Sequence, residues 1–166
     1  MRHIISILLQ NEAGALARVA GMFSARGYNI ESLTVAPTHE ATVSRLTLVT
    51  TGSDAVIEQI IKQSRKLIDI VEIADLTSRE HIECELLMLK VEVEPAGGRR
   101  IVECVRRHRA LILDETDTTR TVQLTGTGAE VNAFLTELSA IGRVLELVRS
   151  GTAALQAGDG VLATPA

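Results

Sequence analysis

NEAGALARVAGMFSARGYNIESLTVAPT, residues 11–38, decides the fold. A polar turn bearing Gly14 opens a segment with Leu16, Val19, Ala20 and Phe23 at the i, i+3, i+4, i+7 spacing of one apolar helical face. The pattern stops at Arg26-Gly27, where glycine suits a left-handed helix cap that a Cβ would resist. Tyr28 then leads into an apolar run over residues 29–36 that reads as a strand. The stretch is therefore turn, helix, cap, strand, with an asparagine at each end of the helix.

Working outward, residues 3–9 alternate as a first strand. Residues 42–51 form a third, with Leu46 and Leu48 set against Arg45 and Thr47. Gly52-Ser53 supplies a turn and a helix N-cap, and Ile57, Ile60 and Ile61 mark a second helix. A fourth strand is expected over residues 67–73. The order is β-α-β-β-α-β. After Asp75-Leu76-Thr77-Ser78 it repeats. A strand over residues 83–94 is broken at Pro95-Ala96-Gly97-Gly98. A helix follows over residues 99–109, carrying Ile101, Val102 and Val105 on a buried stripe. A hairpin of residues 111–115 and 120–125 turns at Asp117-Thr118. The capping box Thr127-x-x-Glu130 opens a helix with Val131, Phe134, Leu135 and Leu138 on one face. Residues 144–149 close the series.

This predicts an α+β chain of two tandem ferredoxin-like βαββαβ domains, residues 1–77 and 78–150. Residues 151–166, small and polar with Gly158-Asp159-Gly160 and Pro165, are expected to be a flexible tail. An antiparallel sheet with helices on one face leaves its other face open. In this topology the second strand, NIESLTVAP, lies at a sheet edge with one charge, no lysine and no internal proline. Such an edge invites a second copy, so a homodimer joined edge to edge is expected.

Composition narrows the functional class. Of 166 residues, 46% are hydrophobic but only 2% aromatic, so the core must be aliphatic. The net charge of -4 is spread evenly: residues 1–76 hold 7 basic and 8 acidic side chains, the remainder 10 and 13. That argues against a nucleic-acid or anionic-membrane surface. No apolar run approaches the roughly 20 residues of a membrane span. MRHIISILLQ is too short and too soon polar for a signal peptide, so a cytoplasmic protein is expected. Cys84 and Cys104 then read as reduced packing residues.

The loop QNEAG sits where the first strand feeds the first helix, where free N–H groups and the helix dipole favour a carboxylate. Gly14 lets the backbone approach a small ligand closely. Asn11 can accept from an ammonium or donate to a carboxylate. Asn29 starts the edge strand. Across a twofold axis, residues 11–14 of one subunit would face Asn29-Ile30 of the other, giving a pocket with polar ends and aliphatic walls for an amino acid. The plainer alternative makes Asn11 a loop residue near a helix start and Asn29 a turn residue after Gly27.

The strings GALARVAGMFSARGYNIESLTVAPT, SRLTLVT and KQSRKLIDIVEIADLT, with the ending RVLELVRSG, resemble the regulatory (small) subunit of acetohydroxyacid synthase, also called acetolactate synthase. The resemblance covers residues 1–150, and the N-terminal unit is similar to an ACT domain. It implies a regulatory subunit in branched-chain amino acid (valine, leucine, isoleucine) biosynthesis. Such a subunit is not catalytic itself. It activates a separate large, catalytic subunit and confers feedback inhibition by valine bound at the ACT dimer interface. By this resemblance Asn11, Ala13, Gly14 and Ala15 cradle the effector, and Asn29 and Ile30 face it. It implies no cofactor on this chain; thiamine diphosphate, Mg and FAD are expected on the catalytic subunit. His39-Glu40-Ala41-Thr42 departs from the acidic and proline-containing segment that follows Thr38 in many members.

Competing signals are weaker. Gly158-Asp159-Gly160 matches the start of a thiamine-diphosphate motif, but only six residues follow it. Thr125-Gly126-Thr127-Gly128 resembles a dinucleotide loop but lacks its third glycine, since position 131 is Val. No Gly-x-Ser-x-Gly occurs, and His3, His39, His81 and His108 are scattered. His81 and His108 with Cys84 and Cys104 would be the one possible metal set. No pair has structural-zinc spacing, so no metal is expected. Arg99-Arg100 and Arg106-Arg107-His108-Arg109 lack the aromatic or basic neighbours of a nucleic-acid helix and read as a solvated face. The alternative function is an amino-acid-responsive transcriptional regulator lacking its DNA-binding domain. A helix-turn-helix needs roughly 50 residues, and the first strand begins at once.

Overall fold

A computed structural model describes residues 1–94 and 97–164. Pro95, Ala96, Pro165 and Ala166, which the sequence reading placed in a strand break and a tail, lie outside the described residues. The chain forms two compact units, residues 1–82 with 152–166, and residues 83–151.

In the first unit the order is β1 (Arg2–Gln10), α1 (Ala15–Ser24), β2 (Ile30–Pro37), β3 (Val43–Thr51), α2 (Asp54–Ser64) and β4 (Ile70–Asp75). The sheet runs β2-β3-β1-β4, and every pairing is antiparallel. β2 is an edge strand, as its place in the topology predicts. Ile5, Ile7 and Leu9 of β1 meet Leu46 and Leu48 of β3 and Val19, Phe23, Ile57 and Ile60 of the helices in one core. Phe23 is fully buried there, worth about 1.5–3 kcal/mol of transfer free energy.

Three expectations for this unit need correction. The buried stripe of α1 is Ala15, Val19 and Phe23, and Leu16 is 37% exposed. Because α1 begins at Ala15, Leu16 sits about 100° round the helix from the first core residue. The apolar run that suggests a strand over residues 67–73 is only partly extended. Leu67 and Ile70 N–H groups bond to Ser64 and Leu67 carbonyls, which keeps residues 67–69 in a turn and delays β4 to Ile70. Lastly, the segment after Gly151 is not a free tail. β9 (Ala153–Gln156) buries Ala154 against Ile4, Val49 and Leu76 on the sheet face opposite the helices. The Ala157 N–H donates to the Glu80 carbonyl at 2.8 Å. Small side chains, read as a sign of mobility, are what allow this close approach to the sheet.

The second unit contains β5 (His81–Glu92), α3 (Gly98–Arg107), β6 (Leu111–Glu115), β7 (Thr119–Gly126), α4 (Gly128–Ser139) and β8 (Val144–Arg149). Its strands run β6-β7-β5-β8, so the βαββαβ order and sheet topology recur. Leu87, Leu89 and Val91 of β5 face Ile101, Cys104 and Val105 of α3 and Val131, Phe134 and Leu138 of α4. Cys104 rather than Val102 is the third buried residue of α3, and Leu135 packs at the margin of the core. Thr127 and Glu130 form both bonds of the expected capping box. Cys84 is exposed, which removes it from the expected packing role. A pair buried on the carboxylate side anchors β8: Arg149 donates to both Glu85 oxygens at 2.6 and 2.7 Å, with Glu85 5% exposed.

Both N-terminal helices of the units end alike. After α1, the Tyr28 N–H reaches the Phe23 carbonyl and the Gly27 N–H reaches Ser24, with Gly27 at φ 73°. After α3, Ala110 reaches Val105 and Arg109 reaches Arg106, but Arg109 holds a φ of 57° despite its Cβ. This explains why α3 stops before the expected residue 109. The left-handed region costs a non-glycine residue about 1–2 kcal/mol, part of which glycine's greater unfolded-state freedom cancels. Arg109→Gly should therefore raise the melting temperature, by about 2–4 °C for a gain of about 1 kcal/mol, in a thermal scan. A lower melting temperature would mean the arginine side chain outweighs its backbone strain.

Candidate functional site: the β1–α1 loop and the edge strand

At the end of β1 the chain turns through residues 11–14 into α1. Gly14 caps the helix at φ 89°. The positive φ favours glycine there, and an added Cβ would lie 2.9 Å from Arg18 Nη1, so a side chain would push on that guanidinium. The Asn11 side chain donates to the Ala41 carbonyl at 2.9 Å, and its N–H donates to Thr42 at 2.8 Å. The loop is thereby tied to the β2–β3 connection, the segment that departs from the family pattern.

Beneath the loop, Arg18 forks onto Asp69, Nε to Oδ2 at 2.5 Å and Nη2 to Oδ1 at 2.6 Å. Asp69 is 5% exposed, and its carbonyl also accepts the Gln10 N–H at 2.8 Å. The hydrogen bonds from Arg18 hold the Asp69 carboxyl below its ordinary range. A depressed folded-state pKa stabilises the fold above the ordinary carboxylate value of about 4 and ceases to do so as pH falls through the folded value. Asp69→Asn should thus lower the urea midpoint at pH 7, and the gap to the parent protein should shrink on acidification below about pH 4. An equal gap at both pH values would detach the pair from acid stability. No local sequence pattern marks this clamp, although Arg18 lies one helical turn beyond Gly14. Its partner lies 51 residues away, in a turn mistaken for a strand.

A cavity of about 230 Å³ opens beside the loop, lined by Asn11, Glu12, Ala15 and Leu16 and by Val35–Pro37 at the far end of β2. Leu16 and Val35, 37% and 38% exposed, give it apolar walls. Ala13 is exposed on the loop, whereas Ala15 is buried at its base. Asn29 and Ile30 are not part of this cavity. Asn29 is exposed at the other end of β2, where its carbonyl accepts from the Thr50 hydroxyl at 2.7 Å. Ile30 is half-buried and packs on the core. β2 from Ile30 to Pro37 spans about 23 Å at 3.3–3.4 Å per residue, so one chain holds the two halves of the expected site apart.

Elsewhere, Cys104, His108 and Glu137 place donor atoms within 4.8 Å of one another in the second unit. Cys104 lies on α3 and His108 caps its C-terminus one turn on, and Glu137 faces them from α4. His108 Nε2 lies 2.8 Å from Glu137 Oε2, and Arg107 bonds the other carboxylate oxygen. The bond from His108 holds the Glu137 carboxyl below its usual range, while burial pushes the Cys104 thiol up to about 11. A protonated thiol beside an already paired carboxylate serves as an interhelix tie. His81 and Cys84, grouped with these residues on sequence, are not in the cluster: His81 Nδ1 lies 2.8 Å from the Arg79 carbonyl. Of the arginine cluster, Arg99 pairs with Glu103 on its own helix and Arg107 with Glu137, in keeping with a solvated face. No helix among the described residues is long and apolar enough to cross a membrane.

Residues 5–72 match the AHAS small subunit-like ACT domain, and residues 84–158 match the family model described as small subunit of acetolactate synthase. Fold and site together thus define a tandem ferredoxin-like protein whose first unit is an ACT domain. The acetolactate synthase isozyme 3 small subunit of Salmonella typhimurium is 44% identical over 98% of this chain and 99% of its own length. The probable small subunit of Archaeoglobus fulgidus is 40% identical over 96% and 99%. The crystal structure of the acetolactate synthase small subunit from Thermotoga maritima superposes with a TM-score of 0.88 at 30% identity, covering 96% of this chain and 99% of that one. The chain belongs to the acetolactate synthase small-subunit family.

Proposed function

We propose that this chain is the non-catalytic regulatory subunit of a cytoplasmic acetolactate synthase in branched-chain amino acid biosynthesis. In this reading it raises the activity of a thiamine-diphosphate-dependent catalytic subunit. It also imposes feedback inhibition when a branched-chain amino acid, with valine the leading candidate, binds between two ACT domains. Residues 1–77 bind effector and dimerise; residues 78–150 form the second domain.

One observation carries the effector reading: the loop half and the asparagine half of the site lie at opposite ends of an edge strand. If two β2 strands pair antiparallel across a twofold axis, the Pro37 end of one meets the Ile30 end of the other. The cavity at residues 11–15 is then closed by Asn29 and Ile30 of a second copy. Asn11 and Asn29 would read the charged head of the ligand, and Leu16, Val35 and Ile30 its aliphatic side chain. The exposure of Leu16 and Val35 supports this, since both would be covered by the partner and ligand.

The test is reconstitution. The purified chain should form no acetolactate from pyruvate. Mixed with its catalytic subunit it should raise turnover and make the complex sensitive to valine. Unassisted carboligation by the pure chain, or no effect on the catalytic subunit, would contradict the reading.

A further inference from the structure

A second cavity of about 250 Å³ lies in the first unit, where the C-terminal segment crosses the sheet face opposite the helices. Its polar wall carries two guanidinium groups. Arg45 projects from β3, and Arg79 follows β4; no acidic residue is among the described residues that line the cavity. Arg45 donates from Nη2 to the Ala154 carbonyl at 3.3 Å, but its Nε is buried with no hydrogen-bond partner. Arg79 is held by Gln156, Nη1 to Oε1 at 2.9 Å. Among the described residues neither arginine has a carboxylate partner. The remaining wall is aliphatic, from Leu76, Leu155, Val161 and Leu162.

A buried donor without an acceptor is costly, and the Arg45 guanidinium lacks the carboxylate that its fork best matches. Burial alone presses the Arg45 guanidinium below its ordinary value. An anion would satisfy the Arg45 Nε and offset its burial, and a planar carboxylate matches the guanidinium fork. The aliphatic wall selects an apolar body behind that head. With no acidic acceptor among the described lining residues, an ammonium group would be repelled. We propose that this cavity binds a small branched apolar monocarboxylate lacking an amino group. The site is distinct from the amino-acid pocket at residues 11–15 and does not depend on it. Because Val161 and Leu162 form one side, an occupied cavity also fastens the C-terminal segment to the sheet.

The full chain, labelled on leucine and valine methyl groups, is titrated with sodium isovalerate and followed by NMR. Saturable shifts are expected at Leu76, Val161 and Leu162. Isoamyl alcohol, the uncharged counterpart, inorganic sulfate, the bare anion, and valine, which adds the ammonium to the same carbon skeleton, should each bind at least about tenfold more weakly there. Arg79→Gln should weaken isovalerate by about tenfold, the loss of one charge-assisted contact at an exposed side chain. Val161→Glu should abolish binding by supplying a carboxylate of the chain's own, and since Val161 is 79% exposed the fold tolerates it. Asn29→Ala should leave isovalerate affinity unchanged. No shift at these three residues overturns the proposal, as do shifts confined to Leu16 and Val35. Equal affinity for isovalerate and valine at these residues, or unchanged affinity in Arg79→Gln, overturns it too.

Discussion

Gly14→Asp should leave a reconstituted acetolactate synthase active but unresponsive to valine, raising the inhibitory concentration by about 100-fold or more. Gly14 holds φ 89°, and its missing Cβ faces the Arg18 guanidinium at 2.9 Å. An aspartate there meets left-handed strain of about 1–2 kcal/mol and pushes on the Arg18–Asp69 clamp that supports the loop. Its carboxylate also occupies the mouth of the helix N-terminus, where an amino acid's carboxylate would bind, so like charges meet in one small space. Two effects act on effector binding and neither touches the catalytic subunit's chemistry. An inhibition curve of the complex checks this. A variant inhibited at the parent concentration would remove the loop from the effector site.

If two copies join through β2 as proposed, Leu33→Pro should convert that dimer into a monomer at working concentrations. Leu33 lies in the middle of β2, paired with Leu48 on one side only, because β2 is the sheet edge. Proline removes a ladder donor from a strand that would pair with its own copy. The twofold axis doubles the loss: two hydrogen bonds worth about 0.5–1.5 kcal/mol each correspond to roughly 5- to 150-fold weaker association. Effector affinity should fall with it, since in the proposed shared site Asn29 and Ile30 would act only on the partner's loop. Sedimentation across a concentration series decides the matter. A variant that stays dimeric with unchanged effector affinity would show that the chains meet elsewhere.

Much of this fold is legible in the sequence because its signals are local. The periodicities of β1, β3 and α4, the Thr127–Glu130 capping box and the Gly27 cap each depend on a few neighbouring residues, and the structure forms them where expected. The errors fall where distant partners decide. Residues 67–69 leave the strand pattern because Asp69 must reach Arg18 and Gln10. Arg109 ends α3 in a conformation its residue type disfavours. Ala154 looks like part of a tail, yet its burial depends on Ile4, Val49 and Leu76, the nearest of them 78 residues away in sequence.

The candidate site divides the same way. Gly14 and Asn11 announce a structured turn, and β2 announces an unprotected edge. The Arg18–Asp69 clamp and the Ala41 contact of Asn11 join segments that no local pattern connects. Nor does local spacing bring Asn29 to Asn11. Asn29 precedes β2 and Asn11 lies beside its Pro37 end, and in the proposed dimer their juxtaposition would belong to the pair of chains.

Effector inhibition of the complex reconstituted with Asn29→Ala tests the central claim most directly. Asn29 is exposed and contributes little packing, so the fold and the activation of the catalytic subunit should survive its truncation. If its side chain reads the charged head of an amino acid across the twofold axis, the loss of one charge-assisted hydrogen bond costs about 1.5–3 kcal/mol. That is about 10- to 150-fold in effector affinity, and by reciprocity the complex should stay active at valine concentrations that silence the parent enzyme. An Asn29→Ala protein that activates normally and is inhibited at the parent concentration would make Asn29 a turn residue and contradict the shared site.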